Sequence, residues 1–383
     1  MKLLPKLLLI LTAVLPISFP AFGFYPMVDN YGKSQYRAKA QNWCITQGKS
    51  GNMWFANSGI LEFDGKEWSL TNTYNMTDVR SVYYDDDSMR LYFGATNEFG
   101  YLHFDENYRM KYVSLIDSLK TTVGEIWGIH KTGDRFYLRE NNNIFIYDGQ
   151  GCEKISFDNK VTSSAVIDGK IYIYVSGKGL LEMSASKEND FSEVPGCDIL
   201  ENIKVSAIFR AEDNSIMLAT ESNGIYKYSN GKLEPADKGL YAKLSAATIY
   251  CGAASRSHRA YGTVKDGVFI IDNEDGSIMH LNTSSGLQNN TVLSMMFDLN
   301  GDLWLGLDNG ISLIHLSSPE YNLLGDPRQY GAGYAAARYD GELWIGTNQG
   351  LFRLGDIENQ KPAISGQIWD LKEIDGTLFC SHD

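Results

Sequence analysis

The sequence is poor in the features that would point to many common protein classes. It has only 9 prolines in 383 residues, so it carries no proline-rich linker or tract. Its five cysteines, Cys44, Cys152, Cys197, Cys251 and Cys380, lie far apart, with no CxxC pair and an odd total. That spacing excludes a zinc ribbon and a dense disulfide framework. It leaves open one or two disulfides, or free cysteines acting as small apolar residues, the plainer reading. Basic residues are outnumbered, 34 against 47, for a net charge of −13, which becomes −15 once Lys2 and Lys6 leave with the N-terminal segment discussed below. The Lys and Arg are scattered, so the chain lacks the basic surface a nucleic-acid partner requires. A local patch at Arg256, His258 and Arg259 is the exception.

Long apolar runs are also missing after residue 23. Before it, Lys2 and Lys6 precede an apolar run from Leu7 to Leu15, and Ala21-Phe22-Gly23 ends in small residues at signal-peptidase spacing. Residues 1–23 read as an export signal. Pro16 and Pro20 cut the run short of the roughly 20 residues a span needs. No segment after it sustains a 3.6-residue apolar period, so helix content is expected to be near zero.

What is abundant is glycine, 37 residues, and aromatics, 12% of the chain. They fall in a pattern stated most fully by VLSMMFDLNGDLWLGLDNGISLIHL at Val292 to Leu316. A short apolar run ends at Asp298, and Asn300-Gly301 tolerates positive φ. Leu303-Trp304-Leu305-Gly306 makes a second strand, Asp308-Asn309-Gly310 a turn, and Ile311 to Leu316 a third strand. The same grammar recurs at Met53-Trp54-Phe55, Leu91-Tyr92-Phe93-Gly94, Phe136-Tyr137-Leu138, Ile171-Tyr172-Ile173, Ile216-Met217-Leu218, Ala260-Tyr261-Gly262, Leu343-Trp344-Ile345-Gly346 and Leu378-Phe379-Cys380. A period of roughly 35 to 45 residues, with two hairpins per unit, describes the blades of a β-propeller. The predicted fold is all-β: a seven-bladed propeller over 24–318, with blades near 41–73, 79–115, 125–157, 161–194, 204–237, 244–283 and 292–317. The segment 25–41 leads into the first blade and is expected to add a strand that closes the ring. Residues 319–332, containing Pro319, Gly325 and Pro327, form a linker, and 333–383 start a second propeller. The chain ends after a strand with nothing to pair its edge, so the sequence reads as truncated there, and the region after about Tyr330 is expected to be frayed and protease-sensitive.

No catalytic or metal-binding constellation accompanies the repeats. The six histidines are dispersed without HxH or HxxxH spacing, Asp85-Asp86-Asp87 lacks the spaced ligands of a calcium loop, Gly48-Lys49-Ser50 lacks the leading glycine and helix of a phosphate loop, and GxSxG is absent. The recurring strand aromatics, Trp54, Tyr92, Tyr137, Tyr172, Tyr261, Trp304 and Trp344, are expected to pack between blades. Trp43, Asn57, Asn97, Glu98, Trp127 and Arg139 lie off that phase, at strand ends or irregular loops that reach a propeller mouth. An aromatic plate with amide and charged neighbours suits a sugar, and these six are the candidate ligand-binding residues. No catalytic, metal or cofactor residue is assigned.

The segment QNWCITQGKSGNMWFANSGILEFDGKEW at 41–68 resembles the first blade of the periplasmic sensor region of Bacteroidetes hybrid two-component regulators. GATNEFGYL at 94–102, SGLQNNTVLSMMFDLNGDLWLGLDNGISLI at 285–314 and GELWIGTNQGLFRL at 341–354 support the likeness, the last two being similar to the regulator-propeller repeat. With SSPEYNLL between them, they resemble the junction of that family's two tandem seven-bladed propellers. Leu138-Arg139-Glu140 in the third repeat and CGAASRSHRAYGT in the sixth depart from the pattern. The resemblance implies a periplasmic sensor for an oligosaccharide, dimeric in its full-length form. A membrane helix, histidine kinase and response regulator would follow this chain, so any membrane contact would come through that downstream region. A propeller hydrolase or lyase acting on glycans, or an assembly scaffold, are the alternatives.

Overall fold

The computed structural model describes residues 25–107, 109–184, 190–322, 330–354 and 361–383. The expected export signal and the linker residues from Leu324 to Pro327 therefore lie outside the described residues. Tyr25–Asp326 and Pro327–Asp383 belong to separate compact units.

The fold is all-β and propeller-like, and in the first unit the described residues form seven four-stranded antiparallel sheets. Six are consecutive meanders over 45–71, 79–114, 128–156, 161–193, 205–236 and 249–281. The seventh joins the two ends of the unit. Val292–Phe297, Leu303–Leu307 and Gly310–Ile314 form its meander, and Val28–Tyr31 supplies its outer strand, with Val28 opposite Ile314 and Tyr31 opposite Ile311. The turns follow their chemistry. At Asp168-Gly169 and Asn230-Gly231 both residues have positive φ, 51° and 74° in the first pair and 50° and 77° in the second, as a type I′ hairpin turn demands. At Asp64 and Asp148 the carboxylate instead accepts backbone N–H groups two and three residues on, at 2.7 to 2.9 Å.

Because side chains alternate across a strand, each sheet presents one face to the sheet before it and the other to the sheet after it. Trp54, Ala56 and Ile60 pack against Val82, Leu91 and Phe93 of the second sheet. Phe55 and Leu61, on the opposite face, pack against Trp304, Ile311 and Leu313 of the seventh. Five further clusters fill the spaces between the remaining successive pairs. The repeated aromatics Trp54, Tyr92, Tyr137, Tyr172, Tyr261 and Trp304 are all buried there. The repeated glycine of the second strand has a steric reason. A Cβ on Gly94 would lie 2.6 Å from Ile126 Cγ2, and one on Gly306 2.6 Å from the backbone oxygen of Asn42, each in the segment leading into the neighbouring sheet.

Helix content differs slightly from expectation. Two short α-helices, Lys33–Tyr36 and Tyr241–Ala247, are present. The second buries Leu244 and Ala247 against the fifth and sixth sheets, and two buried positions three apart are too few to register as a period. All five cysteines are free.

In the second unit Gly333–Tyr339, Glu342–Thr347, Gly350–Arg353 and Ile364–Ser365 form one sheet, and Ile368–Ile374 pairs with Thr377–His382. Leu351, Ile368 and Leu371 are its buried hydrophobic centre.

Candidate functional site

The first strand of every sheet in the first unit begins in a common way. In five of them the pairing to the second strand slips by one residue, between Val79 and Ser81, Val161 and Ser163, Val205 and Ala207, Ile249 and Cys251, and Val292 and Ser294. These are β-bulges, which leave one residue out of the ladder and re-aim its side chain. The residues left out are Arg80, Thr162, Ser206, Tyr250 and Leu293. Trp43 and Trp127 hold the same place in the first and third sheets, where their backbone N–H groups donate to Ala56 O and Arg139 O at 2.9 and 2.7 Å. One residue from each of the seven sheets is thus freed at the same end of its first strand. Six of them, all but Arg80, line a hollow of about 550 Å³ together with Arg139, Asn141, Lys160 and Lys204.

The residue after each bulge is small, and in four of the five it carries a donor that ties neighbouring sheets together. Ser81 Oγ donates to Ile126 O at 2.7 Å, Ser163 Oγ to Val205 O at 3.1 Å and Ser294 Oγ to Asn42 O at 3.0 Å. Cys251 Sγ makes the same contact to Val292 O at 3.7 Å. In the third sheet this residue is Gly128, with no donor. Arg139 Nη1 bonds Val161 O at 3.3 Å in its stead.

Within the hollow, Trp43 and Trp127 meet edge to face, with centroids 5.6 Å apart and planes at 81°. The Arg80 guanidinium lies 4.7 Å from the Trp43 ring centre and 5.0 Å from that of Trp127, and pairs with Glu125 at 3.0 Å. Cation–π attraction fixes both indoles against a held charge. The Trp127 Nε1 donor is buried without a hydrogen-bond partner. Arg139 Nε donates to Ser164 Oγ at 3.0 Å and Nη2 to Trp127 O at 3.1 Å. Burial lowers its guanidinium to about 10, so it stays charged at neutral pH. His130 Nε2 lies 2.8 Å from the same Ser164 Oγ. Burial first, and then the Arg139 charge, push this imidazole down to about 4, leaving it neutral. The thiols of Cys44 and Cys251 are pushed up by burial and are therefore not activated nucleophiles.

Of the six residues singled out from the sequence, Trp43, Trp127 and Arg139 are brought together here. The other three are engaged inside the fold. Asn57 is buried and donates to Lys39 O, Gln41 O and Asn42 Oδ1 at 2.8 to 2.9 Å. Asn97 sits at φ 49° in a tight turn, its N–H donating to Gly124 O. Glu98 is buried, accepts from Ser114 Oγ at 2.7 Å, and has its carboxyl pKa raised by that burial. Arg80, Thr162, Ser206, Tyr250, Leu293, Lys160 and Lys204 escape the sequence reading. For the five freed residues the signal is a β-branched residue, the freed residue, then Ser, Cys or Ala, at the head of the repeat, a pattern the third repeat keeps with Gly128 and the first breaks with Asn42. A second hollow of about 560 Å³, between the first two sheets, is lined by Trp54, Tyr84, Leu91, Leu102 and Phe104 among others.

No family model and no curated protein matches the chain. Solved structures do match its fold. The extracellular domain named for the hybrid two-component system BT3049 of B. thetaiotaomicron is 18% identical with a TM-score of 0.64, and the match covers 94% of this chain and 52% of that one. The extracellular domain of BT4673 from the same organism is 20% identical, with a TM-score of 0.62 over 94% of this chain and 51% of that one. Virginiamycin B lyase from Staphylococcus aureus, solved with quinupristin, is 13% identical, with a TM-score of 0.60 over 75% of this chain and 98% of that one. The chain spans about half the length of the two extracellular domains. At these identities the likeness is one of fold. Among the described residues no helix is long and apolar enough to cross a membrane.

Proposed function

We propose that the unit Tyr25–Asp326 acts as a closed seven-bladed β-propeller whose mouth binds an oligosaccharide, and that it is the ligand-sensing part of a periplasmic two-component sensor. The observation that carries the reading is the mouth itself, where each of seven sheets frees one side chain and two of these are indoles flanking a held cation. Such a site offers apolar plates for sugar faces and amide, hydroxyl and cationic groups for sugar hydroxyls. The fold it shares with extracellular domains named for two-component systems supports a sensing role, and the sheet begun at Gly333 supports a second propeller after the first. The hollow between the first two sheets is a weaker candidate, being lined mainly by apolar side chains of two sheets only.

Signalling then requires only that the full sensor bind ligand more tightly in one of two states. A tenfold preference, about 1.4 kcal/mol, moves a balanced equilibrium most of the way to one side. The fold shared with a lyase keeps a propeller enzyme as the second reading. The residues lining the mouth include no Asp, Glu or His, the groups that general acid–base turnover uses most. Calorimetry with a glycan panel tests the proposal. Trp43→Ala and Trp127→Ala are expected to weaken binding at least about tenfold while the fold survives. Unchanged affinity in both variants, or new products from the glycan, would overturn it.

A further inference from the structure

We propose that this mouth selects saccharides bearing a carboxylate, and that Arg139, supported by Lys160, reads that charge. The inference rests on the proposed saccharide site and adds the sign and chemistry of its ligand.

The first observation is a local reversal of charge. The whole chain carries 47 acidic against 34 basic residues, yet the lining of the mouth contains Arg139, Lys160 and Lys204 and no carboxylate. A chain rich in Asp and Glu that keeps them all from one concave surface presents a positive potential there, and a cleft concentrates such a potential.

The second observation concerns which cations are already answered. Arg80 has Glu125, and Lys204 has Glu221 at 2.6 Å. Among the described residues Arg139 and Lys160 have no ion pair. The Arg139 charge is met only by neutral acceptors, Ser164 Oγ, Val161 O and Trp127 O. A half-buried guanidinium without a counter-ion is partly desolvated at a cost, and a ligand that brings the counter-ion recovers some of it. Arginine has five N–H donors, and these bonds use three. One N–H remains on each terminal nitrogen to donate to an incoming carboxylate.

The third observation is position. Arg139 Nη2 bonds the backbone oxygen of Trp127, so the free guanidinium edge is tethered to the residue whose indole meets Trp43. A sugar ring stacked on that aromatic edge would place an exocyclic carboxyl within the reach of Arg139, with the Lys160 ammonium at the rim to hold the same charge. A neutral hexose lacks the carboxyl, and a hydroxymethyl group in its place answers no charge.

The test uses the full chain and two matched panels, uronate oligosaccharides of several linkages and neutral hexose oligosaccharides of the same lengths, measured by calorimetry at low and at 0.5 M salt, roughly five times the ionic strength at which screening over 10 Å begins. The expected result is uronate binding at least about tenfold tighter than the neutral counterpart, a gap that narrows with salt. Lys160→Glu, on an exposed side chain, is expected to weaken uronate binding severalfold, and by clearly more than it weakens binding of the neutral counterpart. Arg139→Gln removes the preference, with melting temperature followed because Arg139 also joins two sheets. Equal affinity for both panels overturns the charge assignment while leaving the saccharide site standing. Binding of neither panel overturns both. Uronate binding untouched by either substitution shows that the charge is read elsewhere and overturns the role of Arg139 and Lys160.

Discussion

Replacing Gly306 with alanine tests whether the seventh sheet closes onto the first as tightly as the repeated glycine implies. A Cβ at that position would lie 2.2 Å from Ser294 Oγ and 2.6 Å from Asn42 O. Ser294 can rotate away, but only by giving up its bond to Asn42 O, worth about 1 kcal/mol. Asn42 O belongs to the backbone leading into the first sheet, so the second contact is relieved only if the sheets part. Parting them loosens the cluster of Ile45, Phe55, Trp304 and Ile311 between them, and overpacking of this kind costs about 1–3 kcal/mol. Against this stands a gain of about 0.4–1 kcal/mol from the stiffer unfolded chain. The net expectation is destabilisation of about 2 kcal/mol, a fall in melting temperature of about 4 °C for a unit of this size. Calorimetry and tryptophan fluorescence measure it. Gly151→Ala is the control, since its Cβ meets nothing within 4 Å and its φ is not in the left-handed region, and it should melt at or about 1–2 °C above the parent. If Gly306→Ala melts at or above the parent temperature, the account of the glycine as a close approach between sheets is wrong.

Asn57→Ala is expected to cost about 2–3 kcal/mol, because both amide N–H groups, shared among three acceptors, vanish and Lys39 O and Gln41 O lose a partner. Urea unfolding checks this, and an unchanged midpoint with weakened sugar binding would return Asn57 to the ligand site. His130 gives a pH signature. Its folded pKa of about 4 lies below the ordinary 6.5, so between these values the unfolded chain binds the extra proton and stability falls as pH falls, by about 1.4 kcal/mol per pH unit from this group. Melting profiles of the parent and His130→Gln should converge in slope above pH 6.5 and diverge below it. Parallel profiles down to pH 4 would show that His130 takes up its proton equally well in the folded state.

The repeat was legible because its second strand couples a buried aromatic to a glycine or small residue, and both have physical causes: one fills the space between sheets and the other permits their approach. The closing strand was less so. In Val28–Tyr31, VDNY, only the ends are half-buried, and nothing in four such residues says that they join the last sheet and not the first. Trp43, Trp127 and Arg139 stood out because they fall off the repeat's phase. Arg80 and Tyr250 did not, since a bulge shifts the phase by one residue and an alternation read along VRSVYYD or IYCGAA runs straight through it. Asn57 and Glu98 misled for a different reason: a polar residue at a strand end satisfies buried backbone or solvates a ligand with the same chemistry, and only distances separate the two.

The departure at Leu138-Arg139-Glu140 marks the place where packing and binding compete. Opposite the small residue of the first strand, the other sheets of the unit carry Gly94, Gly262, Gly306 or an alanine, with Tyr174 in the fourth. The third sheet exchanges the partners, placing Gly128 on the first strand and Arg139 on the second. A Cβ on Gly128 would come within 3.3 Å of both Arg139 Nε and Ser164 Oγ, so the glycine is what lets the guanidinium lie where it does. Were close packing the sole demand, a glycine at 139 would meet it at no electrostatic cost. The chain instead keeps a cation there and compensates it with a hydroxyl and two carbonyls, enough to satisfy three N–H groups but not to neutralise the charge. A local rule broken in the third sheet by a charged residue, and repaired short of neutrality, is what a site awaiting an anionic group requires.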